Sequence, residues 1–506
     1  MQVIYFIIYL LVLAIWALLL PPLYFSPMEK RYIFIIGAVA GWRYSWAIFN
    51  MVRSVFYKKY YFPRIRKKAQ EVAEESMPER VFIIITTYRI DVDISAKVYR
   101  AAIKEAIECG LPVTIIASVV EKIEENLVKN VFKVLNPPSR VKLIITRFAG
   151  TGKRDGLAVA FRTLTSDYAK LQNSIVALVD GDSVLTSGSI KKCAQLFALN
   201  TDLGALTTNE ECLLTPGRFS DRLYLRWYTL RFAQRDTYMS SLALSKRVLT
   251  LTGRMSVYRG EIFWDREFVE TVQHDYIEHW RLGWFRFLTG DDKSTWYYLL
   301  KNGWEMTYVP DVMVYTLESP PHPNFLKGAT MLMHRWFGNS LRATYRAMRV
   351  PRRIIGPFIW YAIRDQRVTM WTGLYGMLAA LLADLKWGGG LFFAYLWWIM
   401  FTRLLVSLFY ATQRKRLFIT WPIFLYFNQI YGSLVKIYIL NHLYRQKWTR
   451  QKTVLSGNET RWTRFYVIYT SYAQLLAEVF LFIIITGASV GFFNSQDFYN
   501  LFNTFI

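Results

Sequence analysis

Ser174-Ile175-Val176-Ala177-Leu178-Val179-Asp180-Gly181-Asp182 is a continuous apolar run that stops abruptly in two carboxylates around a glycine. A strand that is apolar on both faces has to be covered on both, as in a parallel sheet sandwiched between helices. The chain ahead of it repeats the pattern. Val81 to Thr86, Val113 to Val120 and Val141 to Arg147 read as strands. Ala96 to Cys109, Glu124 to Leu135 and Asp155 to Leu164 read as the helices that alternate with them. The order predicts a mainly parallel α/β sheet, and ligands of such sheets bind beyond the carboxyl ends of the strands.

Asp180 and Asp182 stand at such an end. Two carboxylates at i and i+2 can share one divalent cation, and Mg²⁺ and Mn²⁺ prefer oxygen ligands. The plainer alternative is a polar turn that only ends the strand, because a short D-x-D is frequent by chance. Its place after an apolar parallel strand favours the cation. Gly150-Thr151-Gly152-Lys153-Arg154-Asp155-Gly156 follows the third strand and opens a helix. Glycines let backbone N–H groups approach phosphate there, and Lys153 and Arg154 add positive charge. An ATPase P-loop is excluded, since Arg147 and Arg154 stand where that motif needs Gly and Ser or Thr.

Thr289-Gly290-Asp291-Asp292-Lys293 adds a second acidic pair about a hundred residues later. Adjacent carboxylates cannot face one way along a strand, so one caps the next helix and the other is left as a general base. Asp291 reads as the capping or acceptor-orienting residue and Asp292 as the base, an assignment that the spacing alone leaves open. In His334-Arg335-Trp336-Phe337-Gly338-Asn339 the Trp336 ring offers a flat face to a sugar, and Arg335 suits a diphosphate. A membrane-interface Trp with a snorkelling Arg is the competing reading.

Composition narrows the classes. Of 506 residues 53% are hydrophobic and only 20% charged, against about 25% charged in ordinary soluble domains. The 62 basic and 37 acidic residues leave a net charge of +25. Disorder is excluded by the hydrophobicity. Three cysteines and five histidines exclude a disulfide-stapled fold and a Cys- or His-rich metal centre. The basic residues cluster beside apolar runs rather than on a soluble face, which argues against nucleic-acid binding.

The apolar runs predict a membrane protein. Val3 to Leu20 and Tyr32 to Phe56 read as two spans, and the basic residues from Lys58 to Lys68 mark a cytoplasmic flank. A soluble domain follows over 58–345. An interfacial amphipathic helix is expected over 346–368, where Arg346 to Arg367 punctuate aromatic residues. Thr369 to Leu385, Gly390 to Tyr410 and Tyr466 to Phe492 read as three more spans. Leu417 to Leu440, with Pro422 and Lys436 inside it, reads as interfacial or re-entrant, so 369–441 mixes spanning and interfacial helices. Residues 442–465 read as a cytoplasmic loop and 466–506 as a last span with a tail. Absence of an internal repeat argues against a secondary transporter. Arg403, inside an apolar run, is expected to face a cavity or a partner such as Glu478.

Asp180-x-Asp182, then Asp292 in Gly-Asp-Asp, then Arg335-Trp336 before apolar helices, resembles the processive family-2 glycosyltransferases, among them cellulose, chitin and hyaluronan synthases. Longer stretches resemble the bacterial alginate-polymerising, or mannuronan synthase, branch: Gly150 to Leu157, Leu206 to Glu210, Leu230 to Arg235, Arg247 to Ser256, Phe287 to Ser294, Arg335 to Asn339 and Gln446 to Gln451. The resemblance implies a GT-A catalytic domain between transmembrane helices in the bacterial inner membrane, with that domain in the cytoplasm. It implies a GDP-mannuronate donor and a β-1,4-linked mannuronan product that the same chain extrudes. Mg²⁺ or Mn²⁺ would be held through Asp182, with Asp180 nearer the nucleotide and Lys153, Arg154 and Arg335 at its phosphates. Asp292 matches the family's base, with Asp291 beside it. Trp336, Arg254 and Met255 would meet the acceptor, and Trp448 and Arg450 would sit on a gating loop over the nucleotide. Arg403 would line the polysaccharide channel. A separate membrane subunit that binds cyclic di-GMP, and further export proteins, would be the partners. Leu332 and Ala117-Ser118 depart from the wider pattern, which has Gln at the first and an Asp pair at the second. Asp91 could replace that pair but reads better as a helix cap. Another processive synthase with a UDP-sugar is the alternative.

Overall fold

The computed structural model describes residues 2–20, 30–148, 152–165, 168–214, 216–446 and 461–493. They fall into an α/β unit, Asn50–Ile363 with Gln446, and a helical unit drawn from Met1–Phe49, Arg364–Arg445 and the last helix.

The strands of the α/β unit are β1 (Arg80–Thr86), β2 (Val113–Val119), β3 (Val141–Arg147), β4 (Ser174–Asp180), β5 (Ser183–Leu185), β6 (Leu203–Cys212), β7 (Met255–Arg259), β8 (Tyr276–His279), β9 (Gly283–Arg286) and β10 (Glu305–Thr316). Eight of them form one sheet in the order β3-β2-β1-β4-β7-β6-β10-β5, and β8 pairs with β9 separately. The first four strands are parallel, as the apolar runs predict. Val81 through Ile85 of β1 are buried on both faces, which is why no polar residue interrupts them. The other half is mixed. β7 is antiparallel to β4 and to β6, β10 is parallel to β6, and β5 turns back along β10.

Register places the site. Thr86 at the end of β1 lies opposite Asp180 at the end of β4. The chain order reverses between these two strands, since β2 and β3 lie to one side of β1 and β4 to the other; such a reversal opens a crevice at the strand ends. Asp91 accepts hydrogen bonds from the Asp93 and Ile94 N–H groups at 2.9 and 3.3 Å, and so caps the helix Val92–Glu108. Two long helices, Phe219–Ala243 and Phe325–Ala347, bring aromatic residues to the same crevice and meet through Trp227 and Trp336.

In the helical unit, four helices among the described residues are long and apolar enough to cross a membrane: Pro357–Trp387, Leu391–Arg414, Trp421–Asn441 and Arg461–Ser489. A shorter apolar helix spans Ile4–Leu19. Two expectations change here. The interfacial helix expected over 346–368 is not one element. The chain ends a helix at Ala347, makes a short turn of helix at Arg352–Ile355, and starts Pro357–Trp387. Gly356, at φ +80°, and Pro357 in the first turn separate the two. Leu417 to Leu440 lies mostly in one continuous helix, Trp421–Asn441, whose 21 residues run about 32 Å at 1.5 Å per residue, long enough to span rather than re-enter. Pro422 does not break it because it lies in the first turn, where its missing N–H would be unpaired anyway.

Several polar side chains inside this unit pair with one another. Arg43 grips Asp365 at 2.5 and 3.3 Å and Thr369 at 2.8 Å. Arg403 donates to the Gln429 carboxamide, which in turn donates to the Gly373 carbonyl at 2.9 Å. Glu478, the partner considered for Arg403, instead accepts from Asn441 at 2.8 Å and from Gln474 at 2.8 Å.

Candidate active site

The crevice at the strand ends is a cavity of about 670 Å³ built wholly from the α/β unit. Asp180 and Asp182 both line it. Gly181 between them donates its N–H to the Thr86 carbonyl at 3.1 Å, and a Cβ there would come within 2.6 Å of that oxygen. Gly253 faces Asp180 from the opposite side, where a Cβ would lie 2.7 Å from Oδ2. Glycine at 181 lets the end of β4 close on the end of β1, and glycine at 253 lets a third backbone segment close on the Asp180 carboxylate.

Lys153 organises the acidic groups. Its ammonium lies 2.7 Å from Asp180 Oδ1 and 2.8 Å from Asp291 Oδ2. Burial alone would depress its pKa, but these two carboxylates outweigh that and hold it above the ordinary lysine value. For Asp291, burial would raise the pKa. Lys153 and Arg154 reverse that, so Asp291 stays ionised. Asp292, one residue on, has the opposite fate. Its carboxylate makes no hydrogen bond or ion pair among the described residues, and burial together with the Asp291 charge pushes its pKa up to about 6. Two neighbouring carboxyls pushed apart in this way are the environment of a fixed anion and a titrating base. Burial also lowers the Lys293 ammonium to about 8, against the pull of Asp292. Lys293 donates to the Leu249 carbonyl at 2.9 Å.

Arg154 is not at the phosphate side of the cavity. It is buried and donates to the Leu288 carbonyl at 3.0 Å, the Val272 carbonyl at 2.6 Å and Ser294 Oγ at 2.9 Å. Those bonds pin the segment that leads into Asp291 and Asp292. Ser294 Oγ also donates to Asp275, which Arg346 holds bidentately at 2.6 and 2.8 Å. Gln446 adds a further clamp, accepting from the Leu288 N–H at 3.0 Å and donating to the Arg286 carbonyl at 2.7 Å.

The opposing wall is basic and aromatic. Arg254 lies 3.0 Å from Glu210 and 3.1 Å from Glu318. Burial opposes its charge, but these carboxylates raise its pKa well above the ordinary arginine value. Glu210 is fully buried and also meets Arg235 at 3.2 Å. Glu318 reaches Arg335 at 3.9 Å. Trp336 lines the cavity and stacks on Trp227, with ring centroids 5.7 Å apart. Met255, expected with Arg254 at the acceptor, is instead the fully buried first residue of β7, opposite Val179. It points into the core because side chains alternate along a strand. Trp448 and Arg450, and Gly150 and Thr151 of the glycine-rich turn, lie outside the described residues.

Among the participants with no role assigned from sequence are Glu318, Gly253 and Arg231. Helical spacing could have found the last, because Trp227, Arg231 and Arg235 recur every four residues on one helix and so share a face. Asp180 and Asp182 suit a divalent cation, being hard oxygen donors on one cavity wall. No cluster of three metal-ligating side chains exists among the described residues. The rest of a coordination shell would be water and substrate oxygen, the usual arrangement for Mg²⁺.

Residues 78–339 match the model described as glycosyltransferase-like family 2. A protein named glycosyltransferase alg8 from Pseudomonas syringae pv. tomato is 43% identical over 475 residues, covering 94% of this chain and 95% of that protein. Its namesake from Azotobacter vinelandii is 40% identical over 484 residues, covering 96% and 97%. Among solved structures, the mannosyltransferase PcManGT from Pyrobaculum calidifontis, in complex with GDP-Man and Mn²⁺, aligns at a TM-score of 0.42 and 18% identity over 76% of this chain and 98% of that one. TarS from S. aureus aligns at 0.30 and 13% identity over 57% and 53%.

Proposed function

Because the chain belongs to glycosyltransferase family 2, we propose that its cavity transfers mannuronic acid from GDP-mannuronate to the end of a growing β-1,4-linked polymannuronate, the alginate precursor. Near-complete coverage by two glycosyltransferases named alg8 supports the polymer. The observation that carries the mechanism is the Asp291–Asp292 pair, one member fixed as an anion by Lys153 and the other free and titrating near neutrality.

The reaction is an inverting displacement. Asp292 removes the proton of the acceptor 4-hydroxyl as that oxygen attacks the anomeric carbon and the bond to the diphosphate breaks. Asp182 and Asp180 would hold a divalent cation, which would supply charge neutralisation for the leaving diphosphate. Lys153 keeps Asp180 and Asp291 in place, and Arg335 stands on the same cavity as a further cation for phosphate. Trp336 offers the acceptor sugar its ring. Translocation belongs to the same proposal, with the catalytic unit on the cytoplasmic side of the inner membrane and Arg403 on the path of the polymer. So do a cyclic-di-GMP-binding subunit and further export proteins.

Binding of GDP and UDP to the detergent-purified chain, with Mg²⁺ or Mn²⁺, tests the donor without any partner. Metal-dependent binding of GDP, abolished in Asp182→Ala, is the expected result. Preference for UDP would move the donor to another processive synthase, of the hyaluronan, cellulose or chitin kind.

A further inference from the structure

Most cations on the cavity wall have an acceptor. Lys153 has Asp180 and Asp291, Arg254 has Glu210 and Glu318, and Arg235 has Glu210. Arg335 approaches Glu318, and Lys293 has the Leu249 carbonyl. Arg231 differs. Its guanidinium carbon lies 4.6 Å from the Trp336 ring centroid, 5.3 Å from Trp227 and 5.8 Å from Phe337. Among the described residues it makes these ring contacts and no hydrogen bond or ion pair. Burial lowers its pKa to about 10, so it remains charged at neutral pH. A half-buried charge without a counter-ion is poorly solvated, and an anion arriving from the cavity relieves that. Contact through aromatic rings leaves the N–H fork of a guanidinium available, and that fork matches a carboxylate bidentately.

The surrounding rings say which anion fits. Trp336, backed by the buried Trp227 and packed edge-on against Tyr228, offers the cavity an apolar ring suited to the carbon face of a pyranose, not to a bare phosphate. The acidic wall of Asp180 and Asp182, where a cation-bound diphosphate belongs, is built from other elements. We infer that Arg231 is a specificity-determining residue that receives the carboxylate of a uronic acid seated beside Trp336, and so selects an acidic sugar chain over a neutral one. The inference rests on the polymannuronate reading.

The test compares a mannuronate hexasaccharide with the same hexasaccharide after reduction of its carboxyls to alcohols, titrated onto the full detergent-purified chain. GDP with Mg²⁺ is titrated in parallel. The wild type is expected to prefer the acidic oligosaccharide by roughly ten- to a hundredfold, the range of a charge-assisted hydrogen bond. Arg231→Gln should bring acidic binding down to the reduced level while reduced-oligosaccharide and GDP binding hold. Arg231→Lys should keep part of the preference. A preference that survives in Arg231→Gln overturns the inference and leaves the polymannuronate reading standing. Equal loss for both oligosaccharides, or a loss of GDP binding, overturns it too, because Arg231 would then hold the platform or the diphosphate. A wild type with no preference fails the uronate reading itself, before any variant is made.

Discussion

The two walls of the cavity handle charge in opposite senses. The strand-end wall sets four aspartates, 180, 182, 291 and 292, against two lysines, 153 and 293. The wall of long helices and β7 sets four arginines, 231, 235, 254 and 335, against two glutamates, 210 and 318. One side is left with acid to hold a cation and move a proton. The other is left with guanidinium for anions, in the proposed reading Arg335 for phosphate and Arg231 for the sugar carboxylate. The carboxylates also differ in kind. The Asp292 carboxylate has no partner among the described residues and is raised to about 6 by burial and Asp291, whereas Glu210 is fully buried between two arginines and does structural work. A substrate that is a cation-bound diphosphate at one end and a uronate at the other matches this division.

Replacing Asp292 tests the acidic wall and should give the largest effect. Asp292→Asn keeps the shape but cannot accept the acceptor's proton. Incorporation of labelled sugar into polymer should fall about 10²–10⁴-fold, the usual worth of a general base, with GDP binding retained. The same variant should melt at a higher temperature at pH 7.5. A carboxyl whose pKa rises on folding from 3.8 to about 6 destabilises the folded state as pH climbs through that interval, and an amide has nothing to ionise. Inactivity with a lower melting temperature would reassign Asp292 to a structural role.

Glu210→Gln probes the arginine wall, and there stability rather than chemistry should respond first. Removing one partner from a buried ion pair leaves the other charge stranded, at a cost of about 3–5 kcal/mol. Arg254 and Arg235 both lose their shared counter-ion. A clear drop in melting temperature of the purified chain is expected. An unchanged melting temperature would show that the two arginines find solvent or another acceptor, and the contrast between the walls would lose its structural half.

This division was only half legible in the sequence. Parallel strands buried on both faces write themselves as unbroken apolar runs, so β1 to β4 were found nearly to the residue, and with them Asp180 and Asp182 at a strand end. β6 hid itself because Thr207, Thr208, Asn209 and Glu210 are buried polar residues, matched by partners distant in sequence. Arg154 could not be told from Lys153 by position. Both open the same helix, and only the fold decides that one turns to Asp180 and the other to Leu288. Met255 failed for a related reason: a motif names neighbours, while a strand sends them to opposite faces. In the helical unit, hydropathy located the apolar helices but could not show that Leu417 to Leu440 holds one unbroken helix, because a proline at a helix start and one inside it look alike until the first turn is known.

Asp291→Asn gives the smallest and most specific test of how one wall keeps two adjacent carboxyls apart. Asp292 is raised first by burial and then by the Asp291 charge. Removing that charge leaves burial in place, so the Asp292 pKa should fall but stay above its ordinary value. Lys153, relieved of one carboxylate, pulls the same way. The acid limb of the pH–rate profile, expected near pH 6 in the wild type because the base must be ionised, should therefore move to lower pH. Polymer synthesis in membranes between pH 5 and 8 measures it, with GDP binding as the control for the loss of a Lys153 partner. A limb that stays in place would mean that burial alone sets the Asp292 pKa. A limb that moves to higher pH would mean that Asp291 is the titrating base and Asp292 its fixed neighbour, which would exchange their roles on the wall.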